Sequence, residues 1–424
     1  MTRVIHTGDT HLGYQQYHLP RRREDFLDSF RQVAADAVEE DVDAVVHAGD
    51  LFHDRRPTLP DIMGALSVLR GLDDAGIPFL AVVGNHESKR DAQWLDLFES
   101  LGLATRLGPE PVTVGDVAVY GLDFVTRAER DSLDYAFADH GCDYAVLASH
   151  GLFQPFDHGD WDIREILAGS PVRFDAALLG DDHTPQTRRV DDPHNAWLTY
   201  CGSTERASAD ERESRGYNLV VFEDEPPDPP AGAVDIRRRA LDTREFVFVD
   251  IELGPGEGVE RVRERVTQEE LTDAVVVVSL AGEGDPVTPA TVEEAAAEAG
   301  ALTTRVTDHR ELADERDVEV SFADPDEAVR ERVRELGLSP AAREVDETVR
   351  ASKVADSNVA DAVERRVQEL LEDDDTEAFR PADDETAVSA DGKEAVAGPE
   401  PDDNSETGAA ETDTDSQVTM EDYL

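Results

Sequence analysis

Cysteine is scarce in this chain of 424 residues. Its two cysteines, Cys142 and Cys201, are too few for the disulfide framework of a small secreted domain. The first residues also lack the positively charged and then apolar pattern of a secretory signal. Both features favour an intracellular protein.

Long hydrophobic runs are absent as well. A membrane helix needs about 20 consecutive apolar residues, and no stretch of the sequence approaches that length. We therefore expect no membrane partner.

Basic residues are outnumbered, with 40 Lys and Arg against 96 Asp and Glu, for a net charge of -56. Residues 372–424 carry 19 acidic and 2 basic side chains, which leaves -56 + 17 = -39 on the preceding chain. Such a lysine-poor, acidic composition resembles proteins of salt-accumulating halophiles. In molar salt the Debye length falls to about 3 Å, so self-repulsion is tolerated and long-range steering toward phosphate is lost. The alternative is an acidic protein that avoids nucleic acid.

The first half of the chain alternates short apolar runs with longer amphipathic stretches, which is typical of an α/β core. The apolar runs cover residues 4–7, 44–48, 77–83, 144–148 and 176–179. The proline-rich stretch 226–230 predicts a boundary, because proline neither continues a helix nor donates to a sheet.

A small α+β domain is predicted after that boundary. Its expected strands cover 245–253, 274–280 and 318–322, and its expected helices lie near 257–269 and 290–299. Two narrow apolar stripes follow between residues 326 and 371, and they either pack on their own domain or dock on a partner. From residue 372 onward the composition predicts a disordered acidic tail.

Potential metal ligands follow each of the five apolar runs, where the carboxyl ends of strands meet at one crevice of an open α/β sheet. They are Asp9 and His11, Asp50, Asn85 and His86, His150, and Asp181 and His183. Each motif alone is weak evidence, but the ordered set predicts a two-metal phosphoesterase.

The order of these motifs resembles that of the calcineurin-like metallophosphoesterases. Two sequence motifs, HTGDTHLGY at 6–14 and GDLFHDRRP at 49–57, are similar to those of the Mre-eleven/SbcD family of DNA repair nucleases. The close part of the resemblance covers residues 1 to about 205. It implies a sandwich of two mixed β-sheets flanked by helices, divided as a nuclease domain (1–225), a capping domain (235–325), a helical segment that binds a Rad-fifty type ATPase (326–371) and the acidic tail (372–424).

The resemblance also implies the ligand sets, with two Mn²⁺, or Mg²⁺, per subunit. One metal would be held by Asp9, His11, Asp50 and His183, and the other by Asp50, Asn85, His150 and Asp181. Family members usually carry histidine where this chain has Asp181, and a carboxylate there favours the harder cations. Asp182 is an alternative ligand at this place.

Two further histidines are implied to act on the substrate. His86 would steady the phosphate or protonate the leaving oxygen. His53 would take part in catalysis directly, or would only support the site or belong to a loop. The remaining histidines are expected to be structural, including His6 and His47 within strands.

The function that the resemblance implies is a 3′-5′ exonuclease and single-strand endonuclease. It would process double-strand breaks in DNA as a homodimer, in a high-salt cytosol beside the nucleoid. The competing functions are a DNA-end-binding scaffold with weak catalysis, and a phosphatase or phosphodiesterase of the same fold. Basic clusters at 21–23, 89–90, 188–189 and 237–239 are either solvated surface or short-range phosphate contacts.

The last eight residues, QVTMEDYL at 417–424, are similar to the motif that binds the sliding clamp PCNA. One helical turn would place Met420, Tyr423 and Leu424 on one side as an apolar plug, with Gln417 preceding them. The motif is short, so coincidence is the alternative interpretation.

Overall fold

The computed structural model describes residues 1–90, 92–130, 132–191, 193–224 and 234–310. The predictions for 226–230, the strand 318–322, the segment 326–371, the tail 372–424 and the clamp-like motif with Gln417, Met420, Tyr423 and Leu424 lie outside these residues.

Seventeen strands are present in the described residues. They are β1 (Thr2–Thr7), β2 (Ala44–His47), β3 (Phe79–Ala81), β4 (Thr105–Arg106), β5 (Val112–Val114), β6 (Val117–Leu122), β7 (Tyr144–His150), β8 (Phe153–Gln154), β9 (Trp161–Asp162), β10 (Ala176–Gly180), β11 (Gln186–Val190), β12 (Ala196–Tyr200), β13 (Gly216–Phe222), β14 (Val234–Ala240), β15 (Phe246–Leu253), β16 (Val275–Gly282) and β17 (Thr303–Asp308). The helices in the same residues are α1 (Pro20–Glu39), α2 (Leu59–Asp74), α3 (Trp94–Ser100), α4 (Arg127–Arg130), α5 (Ile163–Gly169), α6 (Val259–Val266) and α7 (Pro289–Glu298), with a 3₁₀ turn at Gln16–His18.

Two six-stranded mixed sheets form the larger part of the fold. The first has the order β14-β13-β1-β2-β3-β4 and the second the order β11-β12-β10-β7-β6-β5. Strand β1 runs parallel to β2 and antiparallel to β13, while β7 runs parallel to both β6 and β10. The predicted sandwich of two mixed sheets is confirmed.

The sheets are buried on both faces, which explains why their strands are nearly continuous apolar runs. In β2, Ala44 and Val46 belong to the core between the sheets together with Val146 and Leu178. The alternate residue Val45 belongs to the core under the helices. Because side chains alternate between the two faces of the strand, β2 contributes to two separate hydrophobic cores.

The helices that cover the first sheet carry clear local signals. Helix α1 begins with Pro20 in its first turn and buries Phe26, Phe30 and Val33 at spacings that share one face. Helix α2 begins with a capping box in which the Thr58 and Asp61 side chains satisfy each other's backbone N–H groups.

The third sheet, of three parallel strands in the order β15-β16-β17, forms a smaller layer with helices α6 and α7. Its third strand, β17, has the sequence TTRVTD, of which half is exposed, and was not predicted. Strand β14 overlaps the span 235–325 that we assigned to the capping domain, but it pairs with β13 at the edge of the first sheet.

An arginine joins the third sheet's unit to helix α1. The buried Arg244 guanidinium donates to both carboxylate oxygens of Asp25 and forms an ion pair with Asp273. None of the helices in the described residues combines the length and apolarity that a bilayer crossing requires.

Candidate metal centre

The predicted ligands gather where the carboxyl ends of strands from both large sheets face each other. Asp9 and His11 follow β1, Asp50 follows β2, and Asn85 follows β3 after three further residues. His150 is the last residue of β7, and Asp181 and His183 follow β10. Strands β1, β2 and β3 are neighbours in one sheet, whereas β7 and β10 are neighbours in the other.

The backbone at these positions is unusual. Asp9, His11, Asp50 and Asp181 all have positive φ angles, of 49°, 43°, 56° and 94°. This left-handed region costs a non-glycine residue about 1–3 kcal/mol and persists only where surrounding contacts enforce it. Backbone hydrogen bonds from Asp9 N to Gly49 O and from His11 N to Asp50 O, each of 3.0 Å, supply that support.

Two glycines let the ligand loops approach each other. Gly49 has a φ of 96°, and a Cβ there would lie 2.5 Å from Nδ1 of His150. A Cβ on Gly84 would collide with the Asp50 backbone and carboxylate. The motifs Gly-Asp and Gly-Asn-His therefore need their glycines for close packing.

One group of donors consists of Asp9, His11 and His183, whose ligand atoms lie within 4.8 Å of one another. The Nε2 atoms of His11 and His183 are 3.0 Å apart. Backbone N–H of Asp181 donates to both oxygens of Asp9, which holds that carboxylate in place.

A second group consists of Asp9, Asp50 and His150. Nε2 of His150 lies 3.0 Å from Oδ1 of Asn85 and 3.8 Å from Oδ1 of Asp181. Asp50, a member of the second group, also lies near the first, because its Oδ2 is 3.4 Å from Nε2 of His150 and 4.0 Å from Nε2 of His11. Asp9 belongs to both groups, although the resemblance assigned it to one metal only.

Hydrogen bonds orient two of these imidazoles through their Nδ1 atoms. Nδ1 of His150 donates to the Ala48 carbonyl at 2.8 Å, and Nδ1 of His183 donates to Oε1 of Glu211 at 2.8 Å. Each ring therefore directs Nε2 toward the donor group, as is usual for metal-binding histidines. Sequence analysis missed Glu211, since it lies 28 residues from His183 with no motif between them.

The spacing of the donors suits divalent cations. Adjacent ligands of an octahedral cation at bond lengths of about 2.1 Å are about 3.0 Å apart. The His11–His183 and His150–Asn85 contacts have that separation. Carboxylate, amide and imidazole groups are all ligands of divalent cations in proteins.

Burial and neighbouring charges shift the pKa of each titratable group among the predicted ligands. Although burial lowers it, the Glu211 hydrogen bond and the Asp9 carboxylate raise the pKa of His183 to about 9. Burial raises the pKa of Asp9 to about 6. Burial lowers the pKa of His11 well below its ordinary value, which favours the neutral form of this ring beside His183.

Similar couplings act around Asp50. Burial opposes both charges, yet the attraction between His150 and Asp50 holds the pKa of His150 well above and that of Asp50 below their ordinary values. Burial raises the pKa of the partly exposed Asp181, and the Asp50 charge adds to the rise. Asp182 is turned away, since its carboxylate accepts from Thr184 N and Gln186 Nε2.

His53 and His86 lie beside these groups and are partly exposed. Nδ1 of His86 donates to the His53 carbonyl at 3.0 Å, so the lone pair of His86 is on Nε2. The His53 ring stacks on Tyr14 with centroids 3.9 Å apart. Tyr14 was part of the quoted motif but was given no role.

A buried carboxyl, Glu87, ties the two ligand loops together. It accepts hydrogen bonds from the backbone N–H groups of Leu51, Phe52 and Gly84. Burial raises its pKa to about 8. In the sequence, the chemistry of this motif was assigned to Asn85 and His86, so Glu87 was given no role.

The structural histidines lie within the core. Nε2 of His6 donates to the Leu179 carbonyl, and Nε2 of His47 contacts Oγ1 of Thr10 at 3.1 Å. Burial lowers the pKa of each to about 3. Each ring makes a hydrogen bond through Nε2, while the buried Nδ1 atom of each has no partner in the described part of the chain.

The basic cluster 21–23 is not a free surface. Arg22 is fully buried and pairs with Asp25 and Glu205, while Arg23 pairs with Asp61. Lys89 is nearer the site and lies over the Trp94 ring, 3.6 Å from its centroid.

The chain is similar in sequence to a known protein family and to named relatives. Residues 2–185 match the family of calcineurin-like phosphoesterases. The chain is 63% identical to the DNA double-strand break repair protein Mre11 of Haloferax volcanii over 93% of this chain and 88% of that protein. It is 57% identical to the protein of the same name from Halobacterium salinarum, over 88% of this chain and 96% of that protein.

Among solved structures, the chain is similar to a dimetal phosphatase from Danio rerio. The identity is 13% and the TM-score 0.38, over 56% of this chain and 96% of that chain. Nothing about the site follows from a likeness this distant.

Proposed function

The chain belongs to the Mre11 family of calcineurin-like phosphoesterases, and from this we propose that it is a metal-dependent nuclease acting on DNA double-strand breaks. The observation that supports a phosphodiesterase most directly is the position of Asp50. Its carboxylate lies between His11 and His150 and so can serve two donor groups at once.

We propose that these groups hold two divalent cations, Mn²⁺ or Mg²⁺. Asp9, His11, Asp50 and His183 would hold one, and Asp50, Asn85, His150 and Asp181 the other. Bound there, the cations would make a water acidic enough to attack phosphorus and would neutralise charge on the phosphate.

The chain's own residues would orient the substrate phosphate and supply a proton. Because the carbonyl of His53 accepts from Nδ1 of His86, the Nε2 of His86 is the atom left to face the substrate. When the ring carries a second proton, its Nε2–H can donate to a phosphate or to the leaving 3′ oxygen. His53, held against Tyr14, would support that ring and line the approach of the DNA. The chain itself thus supplies orientation and a proton donor.

The central test compares wild type with His86→Ala on linear DNA in high salt with Mn²⁺. We expect digestion to fall by about 10²-fold or more, the range for loss of a general acid. Manganese binding should persist, because His86 is outside the two ligand sets. The matched control is His309→Ala, an exposed histidine of the third sheet's unit. Equal digestion by His86→Ala and wild type would overturn the role of His86.

A DNA-end-binding scaffold with weak catalysis is the second candidate function. It is favoured by Asp181, whose anionic side chain partly neutralises the second cation. End binding without Mn²⁺-dependent digestion would support it. A phosphatase or small-molecule phosphodiesterase would instead turn over a nitrophenyl phosphoester faster than DNA.

Partners are proposed from the sequence and the family. We propose a homodimer that works with a Rad-fifty type ATPase through 326–371, at DNA in the cytosol and near the nucleoid. The expected polarity of digestion is 3′-5′, with endonuclease action on single strands, and it is tested with DNA strands labelled at one end.

The sliding clamp PCNA is a further proposed partner. It would be bound by four residues of the tail, Gln417, Met420, Tyr423 and Leu424. Deleting residues 417–424 should abolish clamp binding in a pull-down, and equal capture without them would refute the motif.

A further inference from the structure

Three imidazole rings form a nearly equilateral triangle at the edge of the ligand groups. The ring centroids are separated by 5.3 Å for His11–His53, 5.0 Å for His11–His86 and 5.1 Å for His53–His86. One nitrogen of each ring lies within 4.8 Å of the others. We call His11, His53 and His86 the imidazole triad.

The triad differs in chemistry from the two carboxylate-containing groups. It offers three nitrogen donors and no oxygen donor, whereas Asp9 belongs to both of the other groups. Imidazole ligands suit zinc, copper and nickel, while carboxylates suit manganese and magnesium. A softer cation should therefore distribute differently from Mn²⁺ between these neighbouring sites.

The triad is also held in place before any cation arrives. Tyr14 stacks on His53, and the His53 carbonyl fixes the His86 tautomer with a lone pair on Nε2. The rings are therefore placed by contacts within the chain and not by an ion.

We propose that the imidazole triad of His11, His53 and His86 is an inhibitory Zn²⁺ site. Zinc binds histidine nitrogen at about 2.1 Å, which places tetrahedral ligands about 3.4 Å apart. The triad nitrogens, within 4.8 Å of one another, need to close by at most about 1.4 Å. A site with three protein ligands leaves the fourth position open to water or phosphate.

Occupation of the triad would have two consequences for the reaction. It removes His11 from the donor group that it shares with Asp9 and His183. It also engages His53 and His86, which face the DNA in the proposed function. The inhibition rests on that proposed function, but zinc binding to the triad does not.

Binding is tested without DNA, so that failure of the nuclease assignment does not affect the result. The full-length protein in millimolar Mn²⁺ is titrated with Zn²⁺ against a chromogenic zinc indicator. We expect one Zn²⁺ to be retained by wild type and at least about tenfold weaker retention by His53→Phe, since loss of even an outer-shell partner costs 10- to 100-fold. Phenylalanine keeps a ring against Tyr14 and removes both nitrogens.

His309→Ala is the matched control and should retain zinc like wild type, and circular dichroism verifies that His53→Phe is folded. Zinc held equally by His53→Phe and wild type, but weakened in Asp181→Ala, would place the ion in the carboxylate groups and overturn the proposal. The inhibitory part has its own readout, digestion of linear DNA by wild type. Zinc that binds the triad without slowing this digestion would overturn that part.

Discussion

Oε1 of Glu211 lies 2.8 Å from Nδ1 of His183, so a carboxylate outside every sequence motif sets the direction of a predicted metal ligand. The second oxygen of Glu211 accepts from Arg215 Nη1 at 3.0 Å and from Ser203 Oγ. Arg215 is buried and also donates to the His183 carbonyl. Glu211 is therefore a positioning residue that holds both the side chain and the backbone of this ligand.

Replacing Glu211 with alanine should weaken Mn²⁺ binding by about 10- to 100-fold, the usual effect of removing such a partner. Glu211→Gln should lose less, because an amide oxygen still accepts from Nδ1 of His183. Electron paramagnetic resonance of free Mn²⁺ measures the affinity directly. Asp210→Asn, an exposed neighbour, is the control. Unchanged affinity in Glu211→Ala would show that the contact only supports the loop.

Asp181 and Asp182 are adjacent but should behave differently. Oδ1 of Asp181 lies 3.8 Å from Nε2 of His150, whereas Asp182 binds Thr184 and Gln186. We expect Asp181→Ala to weaken the stimulation of DNA digestion by Mn²⁺ and Asp182→Ala to leave it unchanged. The measurement is the digestion rate across a Mn²⁺ titration. Identical titration curves for Asp181→Ala and wild type would remove Asp181 from the ligand set.

Metal affinity should rise with pH. Because the pKa of His183 is raised to about 9, a cation must displace its proton at any lower pH. Affinity should thus fall about tenfold per pH unit below 9 from this group alone. Protonation of Asp9, whose pKa is about 6, should weaken binding further below pH 6. Calorimetry in buffers of different ionisation enthalpy counts the protons released, and release of none at pH 7 would contradict the assignment.

The same shift has a consequence for the metal-free protein. A histidine pKa raised from 6.5 to about 9 contributes stability that is fully present below pH 6.5 and is lost as pH rises through about 9. Metal-free protein should therefore lose unfolding free energy from this group between those values, whereas added Mn²⁺ should oppose that loss.

Glu87 should matter for stability as well as for the site. Its carboxyl accepts from Leu51, Phe52 and Gly84, and alanine would leave these buried N–H groups without a partner. We expect Glu87→Ala to lower the free energy of unfolding by about 3 kcal/mol. Urea unfolding of metal-free protein measures the change. Glu99→Ala, at an exposed glutamate, is the comparison, and an equal effect there would contradict the special role of Glu87.

Much of the site was predictable because of how parallel strands behave. The carboxyl ends of β1, β2 and β3 lie at one edge of a sheet, so polar residues after successive apolar runs must lie near one another. Residue type then identified the chemistry, since Asp50 and His150 are oxygen and nitrogen donors. Local sequence carries both kinds of information.

Other features depended on neighbours that are distant in the sequence. Strand β17 is mostly polar because much of it is exposed at the edge of its sheet, so it lacks the apolar run that we used to predict strands. Arg22 looked like part of a basic surface, but Asp25 and Glu205 allow its burial. Burial of a charge depends on partners that no local pattern specifies.

The amino-acid sequence by itself determined the identity of the donors, their order, and the strands that they follow. The tertiary structure decided that β7 and β10 belong to a second sheet facing the first, which places His150 against Asp50. It also decided that Glu211 orients His183 and that His53 and His86 form a triangle with His11. The apolar pattern of a sequence indicates which face of a strand is buried. Which elements pack against that face depends on the tertiary structure.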